Sequence, residues 1–140
     1  MSEQFAQRPI DQPSGRAAHR STPRALARGF RLRCPNCGRG RLFARYLKVA
    51  PACANCAEPF HHHRADDAPA YFTMLIVGHA VVAGVLWAEM TQVWPLWLHM
   101  AIWPPLVLAL SLALLPRIKG TIVALQWAFA MHGFGGPDND

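Results

Sequence analysis

The second half of this 140-residue chain has almost no charged side chains. Residues 69–140 carry two Lys or Arg and three Asp or Glu, whereas residues 1–68 carry twelve and five. This split is typical of a basic soluble part joined to a membrane part, and it argues against one globular core. The first 33 residues lack an apolar run of signal-peptide length, so no secretory signal is expected.

Catalytic patterns are missing as well. The sequence shows no catalytic pair of carboxylates, no Ser-His-Asp set and no Gly-rich phosphate-binding loop. The sequence therefore favours a binding protein over an enzyme.

Two long uncharged runs dominate the C-terminal half. Residues 69–88 and 90–116 contain no Asp, Glu, Lys or Arg, and Glu89 is the single charge between them. About 20 apolar residues are enough for a helix to cross a bilayer core of roughly 30 Å. We predict a transmembrane hairpin over 66–117, with spans at about 69–89 and 93–115. A buried soluble core is the alternative, but two uncharged helices of this length rarely occur in so small a soluble domain.

The basic residues predict the orientation of this hairpin. Twelve precede the first span, none lies in the connecting loop, and Arg117 and Lys119 follow the second span. The positive-inside rule then places both termini in the cytoplasm and the Glu89 loop outside. Three tryptophans near that loop suit the outer membrane interface, namely Trp87, Trp94 and Trp97.

One apolar segment follows the predicted hairpin, and a basic segment begins the chain. The run "TIVALQWAFAMHGF" (121–134) is apolar but short for a span, so we predict for 118–140 a helix along the cytoplasmic membrane face and a tail. A re-entrant segment is the alternative. At the other end, residues 1–24 read as a basic tail without fixed structure. The adjoining "PRALARGFRLR" could lie on an anionic membrane surface, and nucleic acid is disfavoured because no recognition module accompanies it.

All four cysteines fall in two CxxC pairs 15 residues apart, at Cys34, Cys37, Cys53 and Cys56. This spacing matches four-thiolate zinc sites, in which each pair directs two sulfurs at one ion. We predict a structural zinc ribbon over 25–65, built on a short β-hairpin between the pairs. Iron in the same cage is the alternative metal. Disulfides are disfavoured in the reducing cytoplasm, and covalent haem would need CxxCH.

Several histidines and one glutamate lie near or inside the predicted spans. Ionisable groups at such depth are candidates for function because burying them is costly, which singles out His79, Glu89 and His99. In the simplest interpretation, neutral His79 and His99 hydrogen-bond across the hairpin. Alternatively, the three residues bind haem or a metal, or Met90, His99 and Met100 bind copper. The run His61–His63 is read as a polar hinge next to the membrane, with auxiliary metal ligation as its alternative.

Four stretches together resemble the bacterial family known as domain of unknown function 983: "RGFRLRCPNCGRGRLFARYLKV", "CANC", "DDAPAYFTMLIVGH" and "LLPRIKGTIVALQWA". The resemblance covers about residues 25–134. It implies a cytoplasmic zinc ribbon followed by two spans of a bacterial inner membrane, and it hints at respiratory-complex biogenesis. The second knuckle departs from the family's usual CxxCG, because Ala57 takes the place of glycine.

The sequence thus predicts an α-helical membrane protein with an N-terminal zinc-ribbon β-hairpin. Its expected role is a protein-binding or assembly module, with a membrane protein as partner and the lipid bilayer as its environment. The alternative is a haem or metal handling factor that uses His79, His99 and Glu89.

Overall fold

A computed structural model of the chain describes residues 20–65 and 67–134. Along this part of the chain lie helix α1 (Thr22–Phe30), strands β1 (Phe43–Arg45) and β2 (Lys48–Val49), helix α2 (Ala68–Thr91), helix α3 (Leu96–Ala128) and a 3₁₀ turn (Met131–Gly133). Most of the tail predicted over 1–24 lies outside the described residues, but its last three residues already belong to α1.

The N-terminal helix α1 is amphipathic and short. Pro23 occupies its first turn, where a missing N–H leaves no hydrogen bond unmade. Ala25 and Gly29 are buried, so α1 uses its small residues to approach its neighbour closely. The helix ends before Leu32, a residue with left-handed backbone (φ 61°), and there the chain turns towards the first cysteine pair.

The segment between the cysteine pairs forms the predicted β-hairpin. Strands β1 and β2 are antiparallel and pair Phe43 with Val49 and Arg45 with Lys48. Two isolated bridges extend this small sheet, one between Arg33 and Arg41 and one between Ala52 and Pro59. The ribbon therefore has the predicted fold.

Helices α2 and α3 are both long and apolar enough to cross a membrane. In the apolar segments of both helices most side chains are exposed within the fold, unlike those in the core helices of soluble proteins. The four residues 92–95 connect them as an antiparallel hairpin. These features suggest membrane insertion, and α2 matches the first predicted span closely.

Helix α3 differs from the prediction, because the second span and the expected surface helix are one helix. Its 33 residues span about 50 Å, whereas the hydrocarbon core of a bilayer is about 30 Å thick. The helix continues beyond Gly120, and this C-terminal part of α3 packs against α1 and the ribbon. Its buried residues include Val123, Ala124 and Trp127. Their apolar character is thus explained by burial in protein, and neither a separate surface helix nor a re-entrant segment forms.

One core joins the ribbon to the end of α3. Its members come from both CxxC pairs, the hairpin, the C-terminal part of α3 and the chain after it, and they include Cys34, Leu42, Cys53, Phe60, Val123, Trp127 and Phe134. The ribbon and the end of α3 therefore fold as one body.

A proline in α3 gives the hairpin turn a specific attachment point. Pro116 has no N–H, so the carbonyl of Leu112, one turn earlier, loses its helical donor. The hydroxyl of Tyr46 donates to that carbonyl at 2.7 Å. Nearby, Nζ of Lys119 donates to the carbonyl of Leu47 at 2.7 Å. The β1–β2 turn is therefore held at the level where α3 leaves its uncharged segment.

Candidate metal centre

The two CxxC pairs form matching knuckles. In each, the residue after the second cysteine donates its backbone N–H to the carbonyl of the first, at 2.9 Å for Gly38 to Cys34 and at 2.9 Å for Ala57 to Cys53. Both residues have left-handed backbone, with φ of 71° at Gly38 and 58° at Ala57. Ala57 thus reproduces the glycine conformation at a cost of roughly 1–2 kcal/mol, and the knuckle geometry is kept.

Backbone amides point at the sulfurs within these knuckles. The N–H of Arg39 lies 3.5 Å from Sγ of Cys37, and the N–H of Asn55 lies 3.4 Å from Sγ of Cys53. Such donors stabilise thiolate over thiol, because a hydrogen bond to the charged form favours it. The knuckles therefore present sulfurs that are prepared to bind a cation.

The four sulfurs lie at the spacing of a tetrahedral metal site. All four are within 4.8 Å of one another. Cys34 and Cys56 are 3.7 Å apart at Sγ, as are Cys37 and Cys53. A tetrahedron with Zn–S bonds of about 2.3 Å has edges of about 3.8 Å, so these two distances match zinc and the cluster is compatible with it. The same cage would accept iron, but it is not a pair of disulfides, whose sulfurs are about 2.05 Å apart.

Burial and hydrogen bonding shift the pKa values of Cys34 and Cys37 in opposite directions. Desolvation by burial raises the pKa of Cys34, whose side chain is fully enclosed. At Cys37, burial also opposes ionisation, but the backbone N–H groups of Gly40 and Arg39 lower its pKa to about 6. A buried thiolate such as Cys34 needs a compensating cation, because an unpaired charge in a core is costly. A bound metal would supply it and displace the proton.

A chain of hydrogen-bonded polar side chains connects the four-cysteine cluster to α3. Nε1 of Trp127 donates to Oε1 of Glu58 at 2.7 Å, and Nδ2 of Asn36 donates to Oε2 of the same carboxylate at 2.9 Å. Asn36 lies inside the first knuckle and Glu58 directly follows the second. Glu58 therefore bridges both knuckles to the helix. The sequence gives no signal for this link, because Glu58 and Trp127 are 69 residues apart.

Two further contacts fix the ribbon on the same helix. The side-chain amide of Gln126 pairs with the backbone of Arg64, accepting from its N–H at 3.0 Å and donating to its carbonyl. Gly29 of α1 meets Gly120 of α3, and a Cβ on either would overlap the other's backbone. The ribbon is thus attached to α3 by side-chain bonds and by close backbone packing.

The histidine run does not take part in the cluster. Within residues 20–65 and 67–134, the only group of candidate metal ligands is the four cysteines. Nδ1 of His63 lies 2.6 Å from the carbonyl of Phe60, so this ring stabilises a local turn. Auxiliary ligation by His61–His63 is therefore not seen.

The predicted contact between His79 and His99 does not form. His99 is buried, with Nε2 2.9 Å from Oε1 of Glu89 and with Nδ1 accepting from Nε1 of Trp103 at 3.0 Å. The contact between positions 89 and 99 sets the register, so His79 lies level with residue 109, about 15 Å along α3 from His99.

His79 lies on the exposed outer face of α2, and its Nδ1 is 2.7 Å from the carbonyl of Leu75. The three-residue haem or metal site is therefore not assembled. The copper site is not formed either: His99 is engaged by Glu89 and Trp103, while Met90 and Met100 are 86% and 61% exposed.

A comparison with protein-family models shows which family the chain belongs to. Residues 43–127 match the profile of a single family. The chain belongs to the family described as "Protein of unknown function (DUF983)". The DUF983 match contains the β-hairpin, the second knuckle, α2 and α3 as far as Trp127, whereas α1 and the first knuckle precede it. No curated protein and no solved structure matches the chain.

Proposed function

We propose that this DUF983 protein is a membrane-anchored binding or assembly module whose zinc ribbon has a structural role. The four sulfurs at tetrahedral spacing carry this proposal. A site closed by four protein ligands leaves no open position for a substrate or a water molecule. Zinc would therefore stabilise a surface for a partner, and the protein would not be an enzyme.

The attachment of the ribbon supports a docking role. Its contacts with α3 involve Tyr46, Glu58 and Arg64 at three separate points. A ribbon fixed in this way presents its exposed side in a defined orientation to the membrane, which lowers the entropic cost of binding a partner. We propose another membrane protein as that partner. Respiratory-complex biogenesis is the setting that the family resemblance suggests.

We propose that the hairpin spans a bacterial inner membrane with both termini in the cytoplasm. The distribution of basic residues across the three regions outside the spans supports this orientation. A reporter that is active only outside the cytoplasm should work when inserted after Thr91 and should fail at either terminus. Activity at the termini would reverse the orientation and expose the cysteines to oxidation.

A photo-crosslinking experiment tests the binding role. With a photoreactive residue at the exposed ribbon position Arg39, we expect crosslinks to one recurrent protein in native membranes. These crosslinks should disappear in a second chain that also carries Cys53→Ser, because the ribbon surface would lose its shape without zinc. Met74, on the outer face of α2, is the matched position outside the ribbon. Absence of protein crosslinks at Arg39, or crosslinks unaffected by Cys53→Ser, would contradict a zinc-dependent docking surface.

A further inference from the structure

Three arginines converge on one shallow pocket of the ribbon. The pocket is lined by Arg31, Leu32, Arg33, Arg41 and Phe43, and all three arginines are exposed. Among the residues that the structure describes, none of the three lies within ion-pair distance of a carboxylate. The pocket is therefore a concentration of uncompensated positive charge.

Backbone pairing places two of these charged side chains next to each other. Arg33 and Arg41 are direct partners in an antiparallel bridge. Like charges in that position destabilise a sheet, so the pairing is unfavourable unless an anion lies between them. Next to them, Leu32 holds a left-handed conformation that costs roughly 1–2 kcal/mol for a residue with a side chain. This conformation ends α1, because the N–H of Arg33 donates to the carbonyl of Arg28 at 2.9 Å, so the repulsion between the two arginines is the feature that points to a bound anion.

The pocket lies near the end of the apolar segment of α3. Helix α1 runs antiparallel to α3, because Arg20 stacks over Trp127 at 4.5 Å while Gly29 contacts Gly120. The C-terminal end of α1, where the arginine pocket begins, therefore points back towards the uncharged part of α3. The β1–β2 turn reaches the same level through the bond from Tyr46 to the Leu112 carbonyl.

Exposed aromatic side chains accompany the charges. Phe30 is 48% exposed beside Arg31, and Tyr46 is 56% exposed at the hairpin turn. Aromatic rings are enriched where a protein meets the headgroup layer, and clustered Lys and Arg next to a span favour anionic lipids. A nucleic-acid site would place its basic residues away from the apolar helices, whereas here they adjoin them.

We propose that Arg31, Arg33 and Arg41 bind the phosphate of an anionic phospholipid in the leaflet next to the ribbon. Guanidinium groups recognise phosphate oxygens in pairs, which would neutralise the repulsion between Arg33 and Arg41. Phe30 would then contact the upper part of the acyl chains. The inference rests on the proposed membrane insertion, and it adds a lipid ligand that the ribbon itself selects.

The test uses full-length, zinc-loaded protein in an uncharged detergent. A fluorescent short-chain phosphatidylglycerol is titrated against wild type, against the triple variant Arg31→Gln, Arg33→Gln, Arg41→Gln, and against a control with Arg24→Gln, Arg39→Gln, Arg64→Gln. The control removes the same charge from exposed positions outside the pocket. We expect the pocket variant to bind about 100-fold more weakly, from about fivefold for each arginine, and the control to stay near wild type.

Competing ligands distinguish the sources of the phosphate. Phosphatidylcholine, inorganic phosphate and a short DNA duplex should each fail to displace the probe at concentrations where unlabelled phosphatidylglycerol does. Displacement by phosphate or DNA at those concentrations would assign the pocket to a soluble anion or to nucleic acid and overturn the lipid site. Equal losses in the pocket variant and the control would overturn it too, because only net charge would then matter.

Separate measurements keep this result independent of the proposed function. Zinc content and membrane fractionation of each variant report whether the ribbon is folded and the chain inserted. If the triple variant loses zinc, the single variant Arg41→Gln serves, with about a fivefold loss expected. Unchanged lipid affinity in an inserted, zinc-loaded variant would remove the lipid site and leave the docking role untouched.

Discussion

Replacing Cys34 with serine should remove stoichiometric zinc and release the ribbon from α3. Wild-type protein is expected to hold one zinc per chain. A structural zinc contributes roughly 10–16 kcal/mol in small zinc-binding peptides, and Cys34 is fully buried in the core that joins the ribbon to α3. Metal analysis after dialysis against a mild chelator should show almost no zinc in the variant, and limited proteolysis should cut between residues 43 and 60.

Membrane insertion should survive this substitution, because α2 and α3 insert through their own apolar side chains. Ala54→Ser is the matched control: the residue is exposed, lies in the second knuckle and supplies no sulfur. Zinc retained in Cys34→Ser would contradict the four-ligand site. Stoichiometric iron in freshly prepared wild-type protein would keep the cage and change the metal.

Gly120→Val should detach the ribbon by a different route, with all four cysteines intact. A side chain at position 120 would overlap the backbone of Gly29, and backbone atoms cannot move aside as a flexible side chain can. Overpacking usually costs about 1–3 kcal/mol, and contact between two backbones places this site at the upper end. We expect faster zinc release to a chelator and faster proteolysis within the ribbon.

Gly78→Val provides a close control for that experiment. It makes the same substitution in a helix, and a Cβ at Gly78 would meet nothing within 4 Å. Zinc release should therefore match that of wild type. Equal behaviour of the two variants would contradict the close packing of α1 on α3.

Features that depend only on residues close together in the sequence could be predicted from it. The spacing of the cysteines predicts the four-sulfur cluster, because each CxxC turn directs its own two sulfurs. The first span was predicted to within a few residues, since α2 (Ala68–Thr91) begins one residue before the uncharged run and ends three residues after it. The short hairpin between the knuckles was predicted on the same local grounds.

The attachment of the ribbon was not predictable in this way. Trp127 bonds to Glu58 and Gln126 to Arg64 across 69 and 62 residues, and no local pattern identifies such partners. The run 121–134 is apolar in either environment, so composition does not distinguish burial in protein from contact with lipid. Only the fold shows that Val123 and Trp127 face the ribbon.

The relative position of His79 and His99 could have been predicted from the sequence. A turn centred near residue 94 pairs position 89 with 99 and therefore position 79 with 109. The predicted hydrogen bond between His79 and His99 is incompatible with this register, which separates them by about ten residues along α3. The pairing of His99 with Glu89 follows from the same register.

Because α3 carries both the apolar segment and the contacts with the ribbon, we expect the position of the ribbon to depend on bilayer thickness. A helix whose apolar length exceeds the local bilayer tilts, and its tilt follows the thickness of the membrane. Although Pro116 lies where the apolar part of α3 ends, the helix continues to Ala128 and its last turns pack against the ribbon, so we expect the ribbon to turn with this end of the helix. At the end of a rod about 50 Å long, a change in tilt of about 10° moves the cluster by about 9 Å. We therefore expect the height of the ribbon above the membrane to change with the thickness of the bilayer.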